Sequence, residues 1–148
     1  MDEFGTVSQS QSDPVPGQLR GLFNHPDDVR VQKLPRAGLE DRGSMAVFFG
    51  AGARTVPHTH HHGQHLVIAQ GTGVIGDEKG VHVVRAGDVV SSPPGAWHWH
   101  GATPATEDVV VGDVQADIGA GLRGIEVMRH GSGCLRSGVS VQLPSSGP

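Results

Sequence analysis

Glycine and proline recur along this chain at intervals that are too short for long helices. The 148 residues include 23 glycines and 10 prolines, and both residue types interrupt helices and mark turns. Turn signals about 8–12 residues apart, with apolar segments between them, are typical of β-sandwiches and barrels. The predicted strands are Ser44–Phe49, Arg54–His60, Gln64–Gln70, Gly73–Ile75, Val81–Arg85, Asp88–Ser91, Ala96–Gly101, Asp108–Val114, Gly124–Met128 and Val139–Leu143. The sequence therefore predicts an all-β fold.

The best-defined local element is a hairpin around residues 76–80. A charged loop with a glycine at each end separates two apolar strands there, which is a typical hairpin pattern. The segment Leu34–Arg42 is ambiguous and has only a weak helical pattern.

Composition shifts at both ends indicate one domain with two tails. Met1–Gly17 is polar and contains prolines, so we expect a flexible leader. Residues 18–130 are expected to form the folded domain, a normal length for a single core. Residues 131–148 are rich in glycine and serine and form a C-terminal segment that we expect to fray.

Charge and cysteine content exclude several classes of function. The net charge is −4, with 11 basic and 15 acidic residues and no basic cluster, so neither a nucleic acid nor an anionic membrane is an expected partner. The sequence contains no apolar run of membrane-spanning length, and its start lacks the features of a signal peptide. We therefore expect a cytoplasmic protein. The single Cys134 excludes an intrachain disulfide and a CxxC redox pair.

Histidine is concentrated in two short windows. Seven of the ten histidines lie within residues 52–66 and 87–101. Alternate residues of a strand share a face, so His58 and His60 should project together, as should His98 and His100. Gly63 offers a turn that would bring Gln64 beside the first pair. The two windows thus predict a cluster of side chains that could bind one metal ion.

The spacing within these windows resembles the two conserved motifs of the cupins. The first motif has a glycine, a His-x-His pair, a glutamate and a second glycine. The second motif has a glycine, a Pro-x-Gly-x-x-His segment and an asparagine. The corresponding residues here are Gly52, His58, His60, Gln64 and Gly71, then Gly87, Pro93, Gly95, His98 and Ala102. Glutamine replaces the first motif's glutamate, and alanine replaces the second motif's asparagine.

This resemblance implies a double-stranded β-helix, a jelly-roll barrel of antiparallel strands with a metal at its centre. It implies a divalent transition metal held by His58, His60, Gln64 and His98. Zinc is the first expectation, with manganese, nickel or iron as alternatives, because imidazole suits all of these ions. A neutral glutamine leaves more of the ion's charge to polarise a bound oxygen, which favours Lewis-acid chemistry over oxygen activation.

Two further histidines are candidates for acid–base catalysis. His100 should point the same way as His98, and His62 precedes the turn at Gly63; either could carry protons near neutral pH. Packing at the barrel mouth is the alternative for His100, and solvent exposure is the alternative for most of the histidine run. His65 alternates out of phase with Gln64 and should face outward.

Other side chains bear on the cavity and on assembly. Trp97 and Trp99 could line a cavity for a flat substrate, although structural packing is more common. Val67 and Ala69 should lie on the outward face of their strand, and an exposed apolar face predicts a partner surface. A homodimer is the simplest such partner.

Within the cupins, the chain is similar to small single-domain enzymes of two kinds. One comprises manganese-dependent hydroxynitrile lyases and decarboxylase-like relatives, and the other comprises aromatic polyketide cyclases of the resistomycin type. The lyases carry a further histidine after the second motif, whereas Thr103–Val111 has none. The first expectation is a cyclase that closes the first ring of a poly-β-ketone by aldol condensation. A non-redox lyase acting on another carbonyl-bearing substrate, an iron-dependent dioxygenase and a non-catalytic ligand-binding barrel follow in that order.

Overall fold

β-Strands dominate the computed structural model, which describes residues 2–35, 37–38, 43–104, 109–115 and 125–127. Three short 3-10 helices accompany the strands in these ranges. The elements are η1 (Gln9–Gln11), β1 (Asp13–Pro14), η2 (Gly17–Leu22), η3 (Pro26–Asp28), β2 (Val29–Lys33), β3 (Gly43–Phe49), β4 (His58–His60), β5 (Gln64–Gln70), β6 (Thr72–Asp77), β7 (Gly80–Arg85), β8 (Val89–Ser92), β9 (Trp99–Ala102), β10 (Val109–Gln115) and β11 (Ile125–Val127). No helix in these ranges is long and apolar enough to cross a membrane.

The strands form antiparallel sheets that share one core. The larger sheet has the order β1-β2-β3-β10-β5-β8, a three-stranded sheet has the order β7-β6-β9, and β11 pairs with β4. Every pairing between these strands is antiparallel. Side chains from both main sheets, such as Leu66 and Ile68 on β5 and Ile75 on β6, belong to one buried cluster. This sandwich confirms the predicted all-β class.

The turn-bounded strands lie close to where the sequence predicts them. The predicted hairpin forms between β6 and β7, with Asp77 paired to Gly80. The predicted strand Arg54–His60 is shorter, because Pro57 has no amide proton for a ladder and Thr55 makes only an isolated bridge. The predicted strand Val139–Leu143 lies outside the described residues. The described part of Leu34–Arg42 contains no helix.

The first 17 residues, predicted as a flexible leader, make specific contacts with β2. β1 pairs with β2, a strand that the turn pattern did not predict, and Val15 is buried in the main core cluster. Arg30 on β2 donates hydrogen bonds to the hydroxyl and carbonyl oxygens of Ser12, at 2.8 and 2.6 Å. Gln32 donates to the carbonyl of Thr6 at 2.8 Å. Side chains of β2 thus satisfy polar groups of this segment. The flexibility of the leader and the domain boundary at residue 18 stay predictions.

Candidate metal centre

Strand β4 places His58 and His60 on the same buried face. Each side chain is 1% exposed, while Thr59 between them is only partly buried, as the alternation of a strand requires. Their ring centroids are 4.8 Å apart. The Nδ1 of His58 lies 2.7 Å from the carbonyl oxygen of Val56. Because a carbonyl only accepts, Nδ1 carries the proton, and Nε2 keeps the lone pair that a metal needs.

The second motif brings His98 beside His58. The backbones of these two residues exchange hydrogen bonds of 3.0 and 2.9 Å in an isolated antiparallel bridge, and their ring centroids lie 4.7 Å apart. Gln64 follows the tight turn at Gly63, where a Cβ would lie 2.7 Å from the carbonyl oxygen of Ser92. The side-chain oxygen of Gln64 accepts a 2.7 Å hydrogen bond from Nε2 of His98.

These contacts create a site that fits one metal ion. Each of His58, His60 and His98 offers a ligand atom, and these three atoms lie within 4.8 Å of one another. Imidazole nitrogens that bind one zinc ion stand about 2.0–2.1 Å from the metal, so these atoms would have to move closer together around a bound ion. The cluster could therefore hold a divalent ion, with the oxygen of Gln64 as a neighbouring fourth ligand.

The buried histidines are held in the neutral form that ligation requires. Burial lowers the pKa of His58 well below its usual value, and the positive charges of neighbouring histidines would lower it further. Burial and the neighbouring His60 lower the pKa of His98 to about 4. At pH 7 both rings are therefore neutral, and each keeps one unprotonated nitrogen that a metal could bind.

His100 stands next to the cluster rather than within it. Its ring centroid is 5.6 Å from that of His98 and 5.9 Å from that of His58, and Phe49 contacts it edge-on at 5.7 Å. Both ring nitrogens are buried without a hydrogen-bond partner among the described residues. Burial lowers the pKa of His100 well below its usual value. A neutral, unengaged imidazole is thus available beside the cluster.

The other histidines of the first window point to solvent. His61, His62 and His65 are exposed, and none of them lines the cavity described next. The turn at Gly63 carries His62 outward, and strand alternation turns His65 away from Gln64, as predicted. The structure therefore brings His100, and not His62, to the histidine cluster.

A cavity with an apolar wall leads to this cluster. It contains about 500 Å³ of empty space, a volume that includes open solvent. The lining contains both polar and apolar side chains. The polar residues are Thr55, His58, His60, Gln64, His100 and Asp113, and the apolar residues are Leu19, Leu22, Phe23, Val31, Met45, Val47 and Phe49.

Sequence reasoning missed Asp113. This carboxylate is 5% exposed and accepts two hydrogen bonds from the side-chain nitrogen of Gln64, at 3.0 and 2.9 Å. Val109 and Val111 are also buried on the same strand, so an aspartate at an inward-facing position was the available signal. The predicted ligand set is neutral, but Asp113 places a carboxylate directly behind it. The negative charge of Asp113 would therefore partly offset the charge of a bound metal, although Asp113 contacts Gln64 and is not one of the predicted ligands.

The two tryptophans are buried but do not line the cavity. Trp99 packs over Gly76 of the neighbouring strand, and the guanidinium of Arg54 lies 5.0 Å from the centre of its ring. Structural packing, rather than substrate contact, is the role that these positions support.

Comparisons with known proteins agree with this arrangement. A family model described as "Cupin domain" matches residues 46–115. A cupin-like protein from Thermotoga maritima is 32% identical, with a TM-score of 0.59 over 68% of this chain and 75% of that one. An acetylacetone dioxygenase from Acinetobacter johnsonii has a TM-score of 0.60 over 77% of this chain and 73% of its own, at 16% identity, which shows a shared fold.

One curated relative is an (R)-mandelonitrile lyase from Granulicella tundricola. It is 48% identical over 86 residues, which are 57% of this chain and 57% of that protein. The chain thus matches little more than half of that relative's length. The antiparallel β-fold, the two motifs, the domain model and the similarity to the Thermotoga protein together show that this chain belongs to the cupins.

Proposed function

We propose that this cupin is a metal-dependent lyase that breaks the bond between a hydroxyl-bearing carbon and a nitrile carbon in a small aromatic substrate. The observation that carries the proposal is the cluster of His58, His60 and His98, of which the first two line a cavity with an apolar wall. The similarity to a mandelonitrile lyase supports the choice of reaction. Zinc is the preferred ion, with manganese, nickel or iron as alternatives.

The residues present fit a metal centre, and each has a separate role in it. His58, His60, Gln64 and His98 would hold the ion. A bound divalent ion would supply Lewis acidity toward the substrate oxygen. The protein contributes neutral, buried ligands, around which electrostatic interactions are stronger than in water.

His100 is the residue that we assign to proton transfer. Its neutral ring accepts the hydroxyl proton of the substrate, and the electrons of the broken O–H bond form the carbonyl. The bond to the nitrile carbon breaks with its electron pair on carbon, and the leaving cyanide takes the proton back from His100. The products are an aldehyde and hydrogen cyanide. A placed general base is worth about 10²–10⁴ in rate.

The apolar wall gives the substrate its orientation. Phe49 contacts His100, and Phe23 packs against Phe49 with ring centroids 6.0 Å apart. Leu19 and Leu22 of η2 extend this wall. An aromatic group against these side chains would place the hydroxyl carbon near His100, because aromatic groups favour tilted contacts with other rings.

The first expectation from the sequence, ring closure of a poly-β-ketone, stays a second candidate. It uses the same kind of site, because an aldol step also needs a polarised carbonyl and a proton carrier. Among the relatives reported above, the curated one is named as a lyase, and this gives the lyase the first place. Cytoplasmic location and dimeric assembly stay predictions.

The test is cleavage of racemic mandelonitrile by protein loaded separately with zinc, manganese or iron(II). Benzaldehyde formation is followed by absorbance, with an oxygen electrode in the same vessel. We expect metal-dependent cleavage without oxygen uptake, and a loss of about 100-fold or more in His100→Ala. His65→Ala, an exposed histidine on β5, is the matched control and should keep the parent rate.

Other outcomes identify the alternatives. Full activity in His100→Ala would contradict the role of this residue, and full activity without metal would contradict the site. Oxygen uptake with iron(II) and a β-diketone substrate would indicate a dioxygenase. Ring closure of a poly-β-ketone without nitrile cleavage would restore the cyclase, and ligand binding without turnover of any substrate would indicate a binding barrel.

A further inference from the structure

We propose that Asp113 is a positioning residue that fixes the side-chain amide of Gln64, so that its oxygen and not its nitrogen faces the histidine cluster. This inference rests on the proposed metal centre, because it concerns how a neutral side chain is made into a ligand. Asp113 lies on β10 and Gln64 on the neighbouring β5, and each is 5% exposed.

The hydrogen bonds determine the orientation of the amide. An ionised carboxylate only accepts hydrogen bonds, so the group of Gln64 that faces Asp113 must be the NH₂ group. That nitrogen lies 3.0 and 2.9 Å from the two carboxylate oxygens of Asp113. The amide oxygen must then point the other way, where it lies 2.7 Å from Nε2 of His98.

The orientation decides whether residue 64 can bind a metal. An amide oxygen has lone pairs available, whereas the amide NH₂ group is only a donor. If the amide rotated by half a turn, it would present two N–H bonds to the histidine cluster and repel a cation. Partners behind a ligand commonly set its orientation and affinity in this way.

Asp113 also accounts for glutamine at the position where the cupin motif has glutamate. A glutamate in this place would put two buried carboxylates about 3 Å apart, and an ionised carboxylate has no hydrogen to donate to the other. Glutamine gives the pair a donor and an acceptor and leaves a single negative charge. Asp113 thus carries the negative charge that the usual motif places on the ligand itself.

The experiment measures metal affinity rather than activity. Zinc binding is titrated against a chelator of known affinity, and cobalt(II) replaces zinc for the absorption spectrum of the ligand field. Asp113→Asn lets the amide of Gln64 rotate, and we expect about 10–100-fold weaker binding with an altered cobalt spectrum. Val111→Ala, a buried change on the same strand, is the control for disturbing β10 and should bind within twofold of the parent.

A pair of double variants keeps the proposal falsifiable if Asp113→Asn alone does not fold. In Gln64→Glu with Asp113→Asn, the donor and the acceptor exchange places, so affinity should return to the parent level or above it. In a Gln64→Leu background, Asp113→Asn should change affinity less than twofold, because no amide remains to be oriented.

Three results would overturn the positioning role. These are parent-like affinity and spectrum in Asp113→Asn, no recovery in the exchanged pair, or an undiminished effect of Asp113→Asn in the Gln64→Leu background. A parent protein that binds neither zinc nor cobalt would instead refute the proposed metal centre. The two failures are therefore distinguishable.

Discussion

At the scale of single residues, the site depends on imidazoles that are buried in their neutral form. Burial lowers the pKa of His58 and His100 well below the usual value, and it lowers that of His98 from 6.5 to about 4. When the chain unfolds, these rings regain the ordinary value near 6.5. The unfolded state therefore binds more protons than the folded state at any pH between the two values.

This difference predicts that the metal-free protein loses stability as pH falls from about 6.5 toward 4. The free energy of unfolding should decrease by about 1.4 kcal/mol per pH unit for each histidine that stays neutral in the folded state. Urea unfolding of chelator-treated protein at pH 7.5, 6.0 and 5.0 measures this change. His98→Ala should show a shallower dependence, and the exposed-site variant His65→Ala should match the parent. An unfolding free energy that is constant over this range would contradict the prediction.

The sequence could identify residues of the site only where they occupy positions of a short motif. His58, His60, Gln64 and His98 occupy motif positions, and the structure brings them together because two turns and one bridge fix their strands. Asp113 could not be paired with Gln64 from sequence, because their contact depends on the register between β10 and β5. That register joins residues that are 49 positions apart.

At the scale of elements, the contact between β6 and β9 depends on the absence of a side chain. Gly76 pairs with Trp99 across the two strands, and a Cβ at residue 76 would overlap the indole ring. Trp99 is 2% exposed and has Arg54 over its ring, so it has little room to move. Close packing of this kind makes one added methyl group costly.

Gly76→Ala should therefore lower the free energy of unfolding by about 1–3 kcal/mol. For a domain of this size, such a loss lowers the melting temperature by about 2–4 °C per kcal/mol. Thermal unfolding followed by circular dichroism measures the shift. Gly21→Ala is the control, because a Cβ there would meet nothing within 4 Å. Equal melting temperatures for the two variants would show that Trp99 can move aside.

The sequence predicts some of these strands and not others. Strands bounded by glycine and proline, such as β5 and the β6–β7 hairpin, were predicted because local turn chemistry marks their ends. β1 and β2 were not predicted, because each forms by pairing with a strand that is distant in the sequence. β2 pairs with β3, and β1 follows only because β2 offers an edge and the side chains of Arg30 and Gln32.

At the scale of the whole molecule, the outer face of one sheet edge suggests assembly. β8 lies at the end of the six-stranded sheet within the described residues. Val67 on β5 and Val89 on β8 stand directly opposite each other, and they are 39% and 56% exposed. Exposed valines beside an open strand edge are a surface that proteins usually cover.

A second copy of the chain is the partner that we expect there, as the outward face of β5 predicts from the sequence. Light scattering coupled to size-exclusion chromatography should give the mass of a dimer at micromolar concentration. Val67→Lys should shift the equilibrium toward monomer, because an ammonium group would be buried without a partner. Val7→Lys changes an exposed valine outside the sheets and should leave the mass unchanged. A parent protein that is monomeric at every concentration, or a Val67→Lys variant that stays dimeric, would exclude this face as the interface.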